Sequence, residues 1–482
     1  MTRTLLELSE TRSRSWELLP FRFQRLENER VVVTSLVGEH LVLDRVEFEA
    51  VVDGGVVSDL TLSALRSRHM IRQRGESLPV EMLASKLALR KRRLAELTAL
   101  HMFVVTLRCE HTCRYCQVSR QATSSKGDFD MTEATAEAAL QHVFSSPSRQ
   151  IKIEFQGGEP LLNFDLVKWV VSRAEEINIS EKRSLAFVIT TNLALVDDYV
   201  LDFCVEHDIA ISTSIDGPRD LHNHNRRRPG QKSWDVATEG LLRAVARLGV
   251  SKVSALMTTT EASLAQPEAI VDTYVELGLR SIFFRPISPY GFATRVRGGG
   301  QYDALKWLEF YRRGLAHVIS LNRQGTEITE VYAAIAARKM FTNDDPGYVD
   351  LTSPAGIGIG AIVYNYDGDI YASDESRMLA EMGDRTFRLG TVNDDYRTIM
   401  MSDQLLGPLW ESFTLSVPKC DLCAFEPWCG SDPVFHHTTA KSVVGHKTFS
   451  AFCKRNTGIF THLLELQEDE FSRDLLWKWA HQ

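Results

Sequence analysis

The chain contains no long uninterrupted hydrophobic run. No segment reaches the roughly 18 consecutive apolar residues that a membrane helix needs, and the start, "MTRTLLELSETRSRSWELL", lacks the apolar stretch of a secretory signal. We therefore expect a cytoplasmic protein without a membrane span. Basic residues are also not in excess, because 55 Lys and Arg stand against 63 Asp and Glu. This balance argues against general nucleic-acid binding, which depends on a basic surface.

Cysteines are few and unevenly placed. Only eight occur in 482 residues, yet "CEHTCRYC" at 109–116 holds three and "CDLCAFEPWC" at 420–429 holds three more. Because a cytoplasmic protein keeps its thiols reduced, such clusters indicate metal ligands or redox chemistry rather than disulfides. Cys204, on an apolar helix face in "DFCVEH", is interpreted as an inert core residue.

The length predicts about three domains. Residues 1–80 have the pattern of a small unit of strands and helices, and 81–102 that of a basic linker helix. From 103 to 295, strand and helix patterns alternate, which predicts an α/β fold with a parallel sheet. About six such units indicate a partial barrel. A helical connector at 296–345 precedes the region 346–482, which contains a hairpin turn at Asp367–Gly368, the second cysteine group and one last helix.

The first cysteine group, Cys109, Cys113 and Cys116, follows a predicted strand with the spacing C-x3-C-x2-C. Three thiolates on one loop suit three irons of a cubane cluster and leave the fourth iron open, whereas a zinc loop is the alternative. The segments "GGEP", "TTN" and "SIDG" end the next three strands. Carboxyl ends of parallel strands meet at one edge, so these segments should converge with the cysteines.

This combination resembles the radical S-adenosylmethionine (SAM) superfamily, in which the open iron chelates SAM and one electron from the cluster yields a 5′-deoxyadenosyl radical. The resemblance implies that the "GGEP" turn holds the methionyl ammonium, with a glutamate pairing to the cation. For the contacts after Pro160, a strand-end cap or turn is the alternative role. The implied SAM-binding residues are Tyr115, Gly157, Gly158, Glu159, Pro160, Thr191, Asn192, Ser214, Asp216 and Arg226.

The second cysteine group comprises Cys420, Cys423, Cys429 and Cys453, and four thiolates suit either zinc or a second cluster. The segment resembles the SPASM extension of peptide-modifying radical SAM enzymes, which normally carries two auxiliary 4Fe–4S clusters. Here serine or proline occupies positions where the proximal cluster expects cysteine, namely Ser353, Ser373 and Pro433. The resemblance therefore implies one auxiliary 4Fe–4S cluster, with four thiolates and no open iron, for electron transfer and structural stapling.

Nearly the whole chain resembles the His-Xaa-Ser system radical SAM maturases, on the segments "LPFRFQRL", "SIDGPRDLHNHNR", "YNYDGDIYASDESRML" and "WCGSDPVFHH". The resemblance implies a ribosomal precursor peptide with His-Xaa-Ser repeats, an electron donor such as flavodoxin or ferredoxin, and a second radical SAM maturase as partner. The N-terminal unit resembles a winged-helix peptide-recognition element, which binds a leader as an added strand; a structural cap on the barrel is the alternative.

A catalytic base is implied by the position after the second lost cysteine. In sulfatase-maturating relatives an aspartate there acts as base, and Asp374 occupies it here. We expect "SDESRML" to lie on a strand, with Asp374, Glu375 and Arg377 facing the barrel opening and either pairing or contacting peptide. Two other functions remain open: a sulfatase-maturase-like dehydrogenase, and a zinc-stapled peptide-binding scaffold.

Overall fold

The N-terminal unit is built around two small antiparallel sheets. The computed structural model describes residues 15–230, 232–294 and 303–482. Strands β2, β3 and β4 form one sheet, β1 pairs with β5, and Val31, Val33, Leu43 and Met70 fill a separate small core. The elements are β1 (Trp16–Leu18), β2 (Phe21–Arg25), β3 (Arg30–Ser35), β4 (His40–Asp44), α1 (Arg45–Asp53), α2 (Asp59–Ser67) and β5 (Ile71–Gln73).

The linker helix, α3 (Leu78–Arg90), is shorter than expected for residues 81–102. A 3-10 turn at Arg92–Ala95 follows it, and the next strand begins at Leu100. Four consecutive basic residues, 90–93, would crowd like charges on one helical turn. Arg90 is instead buried, and its guanidinium donates to the carbonyls of Val37, Lys339, Thr342 and Pro427.

The central region alternates strands and helices. Its strands lie side by side in the order β6-β7-β8-β9-β10-β12, all parallel, which confirms the predicted partial barrel of six strands. The elements are β6 (Leu100–Thr106), α4 (Glu133–Ser145), β7 (Gln150–Gly157), α5 (Phe164–Glu181), β8 (Ser184–Thr190), α6 (Asp198–Glu206), β9 (Ala210–Ser214), α7 (Arg219–Asn225), α8 (Ser233–Leu248), β10 (Val253–Thr259), α9 (Pro267–Glu276), β11 (Ser281–Ile282) and β12 (Phe284–Pro286).

The C-terminal region extends the barrel sheet. Strand β14 lies parallel to β6, and β15 and β16 add antiparallel strands, so the described residues form a nine-stranded sheet. The elements are α10 (Ala304–Arg323), β13 (Thr329–Glu330), α11 (Val331–Phe341), β14 (Ala361–Tyr364), β15 (Asp369–Tyr371), α12 (Asp374–Ala380), β16 (Arg388–Thr391), α13 (Tyr396–Met400), α14 (Asp403–Glu411), α15 (Pro433–Ala440), α16 (Ala451–Glu465) and α17 (Glu470–Ala480).

Three segments differ from the sequence-based expectations. "SIFFRPIS" forms two short strands rather than one, because β11 pairs with β13 while β12 pairs with β10. The last helix is two helices, since Asp469 caps α17 by accepting from the Ser472 amide. "SDESRML" is helical, because Ser373 and Ser376 form a reciprocal capping box that starts α12. No helix in the described ranges is long and apolar enough to cross a bilayer.

We expect Arg90→Met to destabilise the protein by about 2 kcal/mol, because it leaves buried carbonyls without their charged donor. The midpoint of denaturant-induced unfolding should fall, and the contacts between the N-terminal unit and the rest of the chain should be lost first. Arg93→Met is the matched control, since Arg93 is exposed and its guanidinium donates to the Pro346 carbonyl. Equal midpoints for the two variants would contradict this assignment.

Candidate functional site

The three-cysteine loop leaves β6 at the carboxyl edge of the barrel sheet. Cys109 is buried, Cys113 and Cys116 are half-buried, and all three thiols are free. The loop is held by backbone bonds from Thr112 to the Arg227 carbonyl (2.6 Å) and from Arg114 to the Asn225 carbonyl (2.9 Å). Burial raises the pKa of the Cys109 and Cys113 thiols, and the charge of each neighbouring thiolate adds to the effect. The three predicted ligands therefore lie on one fixed loop.

The "GGEP" turn lies against the backbone that enters this loop. A Cβ on Gly157, whose φ is +154°, would lie 2.0 Å from the Thr106 carbonyl oxygen, and a Cβ on Gly158 would lie 2.3 Å from the Arg108 carbonyl oxygen. No side chain is compatible with these distances. The amides of Gly158 and Glu159 donate to the same two carbonyls, both at 2.8 Å. Pro160 begins a 3-10 turn directly after the glutamate.

Glu159 is fully buried and accepts from three neutral donors. Its carboxylate accepts hydrogen bonds from the Thr191 hydroxyl (2.7 Å), the backbone amide of Asn192 (2.8 Å) and the backbone amide of Leu161 (3.1 Å). Burial, with the Glu110 charge second, raises its pKa to about 7. A carboxylate with neutral donors and no cation in a dry site has spare capacity for an ammonium group.

Glu110 is a site residue that the sequence analysis missed. The Asn192 side chain donates to Glu110 Oε1 (2.9 Å) and lies 3.9 Å from Cys109 Sγ, so Asn192 connects both groups. Glu110 Oε2 is buried without a hydrogen-bond partner among the described residues. Ligand atoms of Cys109, Glu110 and His111 lie within 4.8 Å of one another. The sequence feature that could have indicated Glu110 as a site residue is its position directly after Cys109.

Tyr115, Asp216 and Arg226 form a second polar group on the same edge. The Tyr115 hydroxyl lies 2.9 Å from both Asp216 oxygens, and Arg226 Nη1 donates to it at 2.8 Å. Burial raises the pKa of Asp216. The positive charge of Arg226 lowers the pKa of the Cys113 thiol and so opposes the effect of burial there. Ser214 ends β9 two residues before Asp216. The ten predicted SAM-binding residues lie at strand ends or in the connections that follow strands β6 to β9.

The second cysteine group is also brought together. Cys420, Cys423 and Cys429 lie on the loop before α15, and Cys453 lies in the first turn of α16. Burial raises the pKa of Cys420 and Cys423 to about 12 and that of Cys429 to about 11, with contributions from the other thiolates of the group. Asn456 Nδ2 lies 3.6 Å from Cys429 Sγ.

The three positions without the expected cysteine have structural roles. Ser353 Oγ accepts from the Thr414 amide (3.0 Å) and hydroxyl (2.6 Å). Ser373 caps α12, and Pro433 is the first residue of α15. These segments are therefore stabilised by hydrogen bonds and helix caps at the three positions where the resemblance implies a cysteine ligand.

Helix α12 places its charged residues between the barrel and the C-terminal region. Arg377 pairs with Asp374 at 3.2 Å and donates to the carbonyl of Val118, two residues after Cys116. Glu375 lies 3.7 Å from Arg285 on β12. The expected pairing is present, although the residues lie on a helix rather than a strand.

Part of the chain is similar in sequence to known proteins. Residues 103–282 match the sequence model of the radical SAM superfamily, and the chain therefore carries a radical SAM domain. It is 28% identical over 212 residues to the serine-type anaerobic sulfatase-maturating enzyme of Klebsiella aerogenes, which covers 42% of this chain and 49% of that protein. The chain matches less than two thirds of the length of the first curated relatives, 49 to 65%.

Two solved structures share the fold over most of the chain. Native anSMEcpe with bound AdoMet has a TM-score of 0.62 at 16% identity, covering 80% of this chain and 99% of that one. Streptococcus suis SuiB bound to the precursor peptide SuiA has a TM-score of 0.54 at 13% identity, covering 90% and 98%. The predicted fold, an α/β radical SAM barrel with a C-terminal extension of its sheet, is confirmed.

We expect Gly158→Ala to lower SAM cleavage by at least about tenfold and to lower iron content towards that of the second cysteine group alone, because the new Cβ displaces the turn from the cysteine loop. Gly407→Ala in α14 is the control, since nothing lies within 4 Å of its added Cβ. Iron content and 5′-deoxyadenosine formation measure the effect. Full activity of Gly158→Ala would show that the close contact is not needed.

Proposed function

We propose that this chain is a radical SAM peptide maturase that cross-links or oxidises side chains of a ribosomally made precursor peptide. One observation carries the proposal: the three-cysteine loop, the half-buried carboxylate of Glu110 and the buried carboxylate of Glu159 converge at the carboxyl edge of the barrel. This edge is where folds of this class place their chemistry.

A radical SAM domain implies a SAM-binding 4Fe–4S cluster and SAM. The donor set fits them, because three thiols share one loop and Glu110 Oε2 is an orphaned acceptor beside it. Cys109, Cys113 and Cys116 would hold the cluster, and Glu110, Glu159 and Asn192 would face the SAM amino acid group. When bound, these groups supply one-electron cleavage of a C–S bond and a 5′-deoxyadenosyl radical. The carboxylates of Glu110 and Glu159 would orient the ammonium by accepting its hydrogen bonds.

The substrate assignment is the finer part of this proposal. We assign a precursor peptide with His-Xaa-Ser repeats, reduction by a flavodoxin or ferredoxin, and a second radical SAM maturase as partner. The N-terminal sheet supports peptide binding, because β2 and β4 are its edges and neither pairs with a further strand in the described ranges. An extended leader adds to such an edge through main-chain hydrogen bonds.

A sulfatase-maturase-like dehydrogenase is the second candidate function. Its support is the position of Asp374 near the three-cysteine loop, through Arg377 and Val118. In either function Asp374 would accept a proton from the substrate. Stoichiometric zinc in place of iron would instead support a peptide-binding scaffold.

Cys109→Ala, Cys113→Ala and Cys116→Ala should each abolish 5′-deoxyadenosine formation under dithionite while the iron of the second group is retained. The reason is loss of one of three ligands on the first loop. Cys204→Ala, on the buried face of α6, is the control and should retain activity. A parental rate in any of the three ligand variants would exclude the radical SAM assignment.

Alanine at Cys420, Cys423, Cys429 or Cys453 should lose about four irons and destabilise the C-terminal region, because ligation is coupled to folding. Iron and sulfide analysis with a thermal melt measures both effects. Unchanged iron content would show that the four cysteines do not share a cluster.

Asp374→Asn should uncouple SAM cleavage from product formation, since cleavage does not need the proton acceptor. The measurement is 5′-deoxyadenosine against modified peptide by mass spectrometry. Asp403→Asn, at an exposed position on α14, is the control. Normal product yield from Asp374→Asn and Asp374→Ala would remove Asp374 from the mechanism.

A further inference from the structure

A cavity lies where β12 meets the C-terminal region. Three carboxylates line it, from Asp350, Glu375 and Asp432, together with the guanidinium groups of Arg285 and Arg455. Residues directly after the carboxyl end of β12 form part of its wall, so it opens beside the same barrel edge as the cysteine loop. A backbone bond from Phe292 to the Cys116 carbonyl (2.8 Å) links the two.

The cavity lies between the segments that lack cluster ligands. Asp350 precedes Ser353 by three residues, Glu375 follows Ser373 by two, and Asp432 directly precedes Pro433. Each carboxylate thus comes from a segment in which the resemblance implies a cysteine and this chain has none. The space is lined by acids instead of thiols.

The charges in the cavity do not balance. Three carboxylates face two guanidinium groups, and the only ion pair within 4 Å among these described groups is Arg285 with Glu375, at 3.7 Å. Burial raises the pKa of all three carboxyl groups, and the charge of Asp350 adds to the rise for Glu375 and Asp432. One further positive charge would compensate the buried carboxylates.

Aromatic rings also form part of the cavity wall. Phe283 and Tyr332 stack with centroids 6.1 Å apart, and Tyr348 meets them edge-on at 6.3 and 5.9 Å. Rings arranged around a cavity attract a cation through their negative faces. Tyr290 is 1% exposed and lines the cavity, and its hydroxyl has no hydrogen-bond partner of suitable geometry among the described residues.

We propose that this cavity binds a cationic side chain of the substrate, a primary ammonium group of the lysine type. The proposal rests on the proposed peptide substrate. The carboxylates supply the counter-charge, and the aromatic rings surround the methylene chain. The Tyr290 hydroxyl accepts a hydrogen bond from the ammonium group. A compact ammonium suits a cavity that already holds two planar guanidinium groups.

Titration of the reconstituted full-length protein with n-butylammonium tests the site. We expect saturable binding to wild type by calorimetry, none for n-butanol, and weaker binding for methylguanidinium. Glu375→Gln and Asp432→Asn should each weaken n-butylammonium binding by at least about tenfold; asparagine still caps α15. Glu470→Gln, exposed on α17, should bind as wild type.

Three results would overturn the ammonium assignment: equal binding of n-butanol, unchanged n-butylammonium affinity in both variants, or a preference for methylguanidinium. SAM cleavage measured in the same preparations separates the two proposals. Cleavage without ammonium binding rejects the subsite alone, whereas absence of cleavage in wild type rejects the enzymatic function.

Discussion

The candidate site depends on one contact between backbones. The turn at Gly157 and Gly158 lies so close to the chain between Thr106 and Arg108 that neither residue has room for a Cβ. Because the same stretch leads into Cys109, the position of the first cysteine is fixed relative to Glu159. Both groups follow neighbouring parallel strands, so the sheet register and the turn determine the site together.

Buried carboxylates occur in two different environments in this protein. Glu330 is fully buried but accepts from the Tyr311 hydroxyl (2.8 Å) and from three backbone amides, which accounts for a structural role at the start of α11. Glu110 instead leaves one buried oxygen without a partner in the described chain. An unsatisfied acceptor costs free energy on folding. That cost is reasonable where a ligand supplies the missing donor.

The sequence predicted the barrel and its edge, because buried parallel strands are near-continuous apolar runs and their ends carry recognisable turns. It did not predict the helix after Ser373. The chain leaves the sheet at the end of β15, and the capping box of Ser373 and Ser376 then starts a helix where a continuing strand was expected. Asp350 and Asp432 were missed for another reason. They lie 82 positions apart, and the topology of the C-terminal region alone brings them to one cavity.

The second cysteine group and the acidic cavity form one structural unit through Asn456. Its Nδ2 lies 3.6 Å from Cys429 Sγ, while its Oδ1 accepts from the Tyr332 hydroxyl at 2.8 Å. Tyr332 belongs to the aromatic wall, so a single side chain connects the four-cysteine group to the cavity. Cys453 lies in the first turn of α16 and Asn456 in the second, so metal ligation at the four cysteines would also order the part of the helix that carries Asn456. The four-cysteine group and the aromatic residues of the cavity are therefore positioned relative to each other by one hydrogen-bonded side chain on α16.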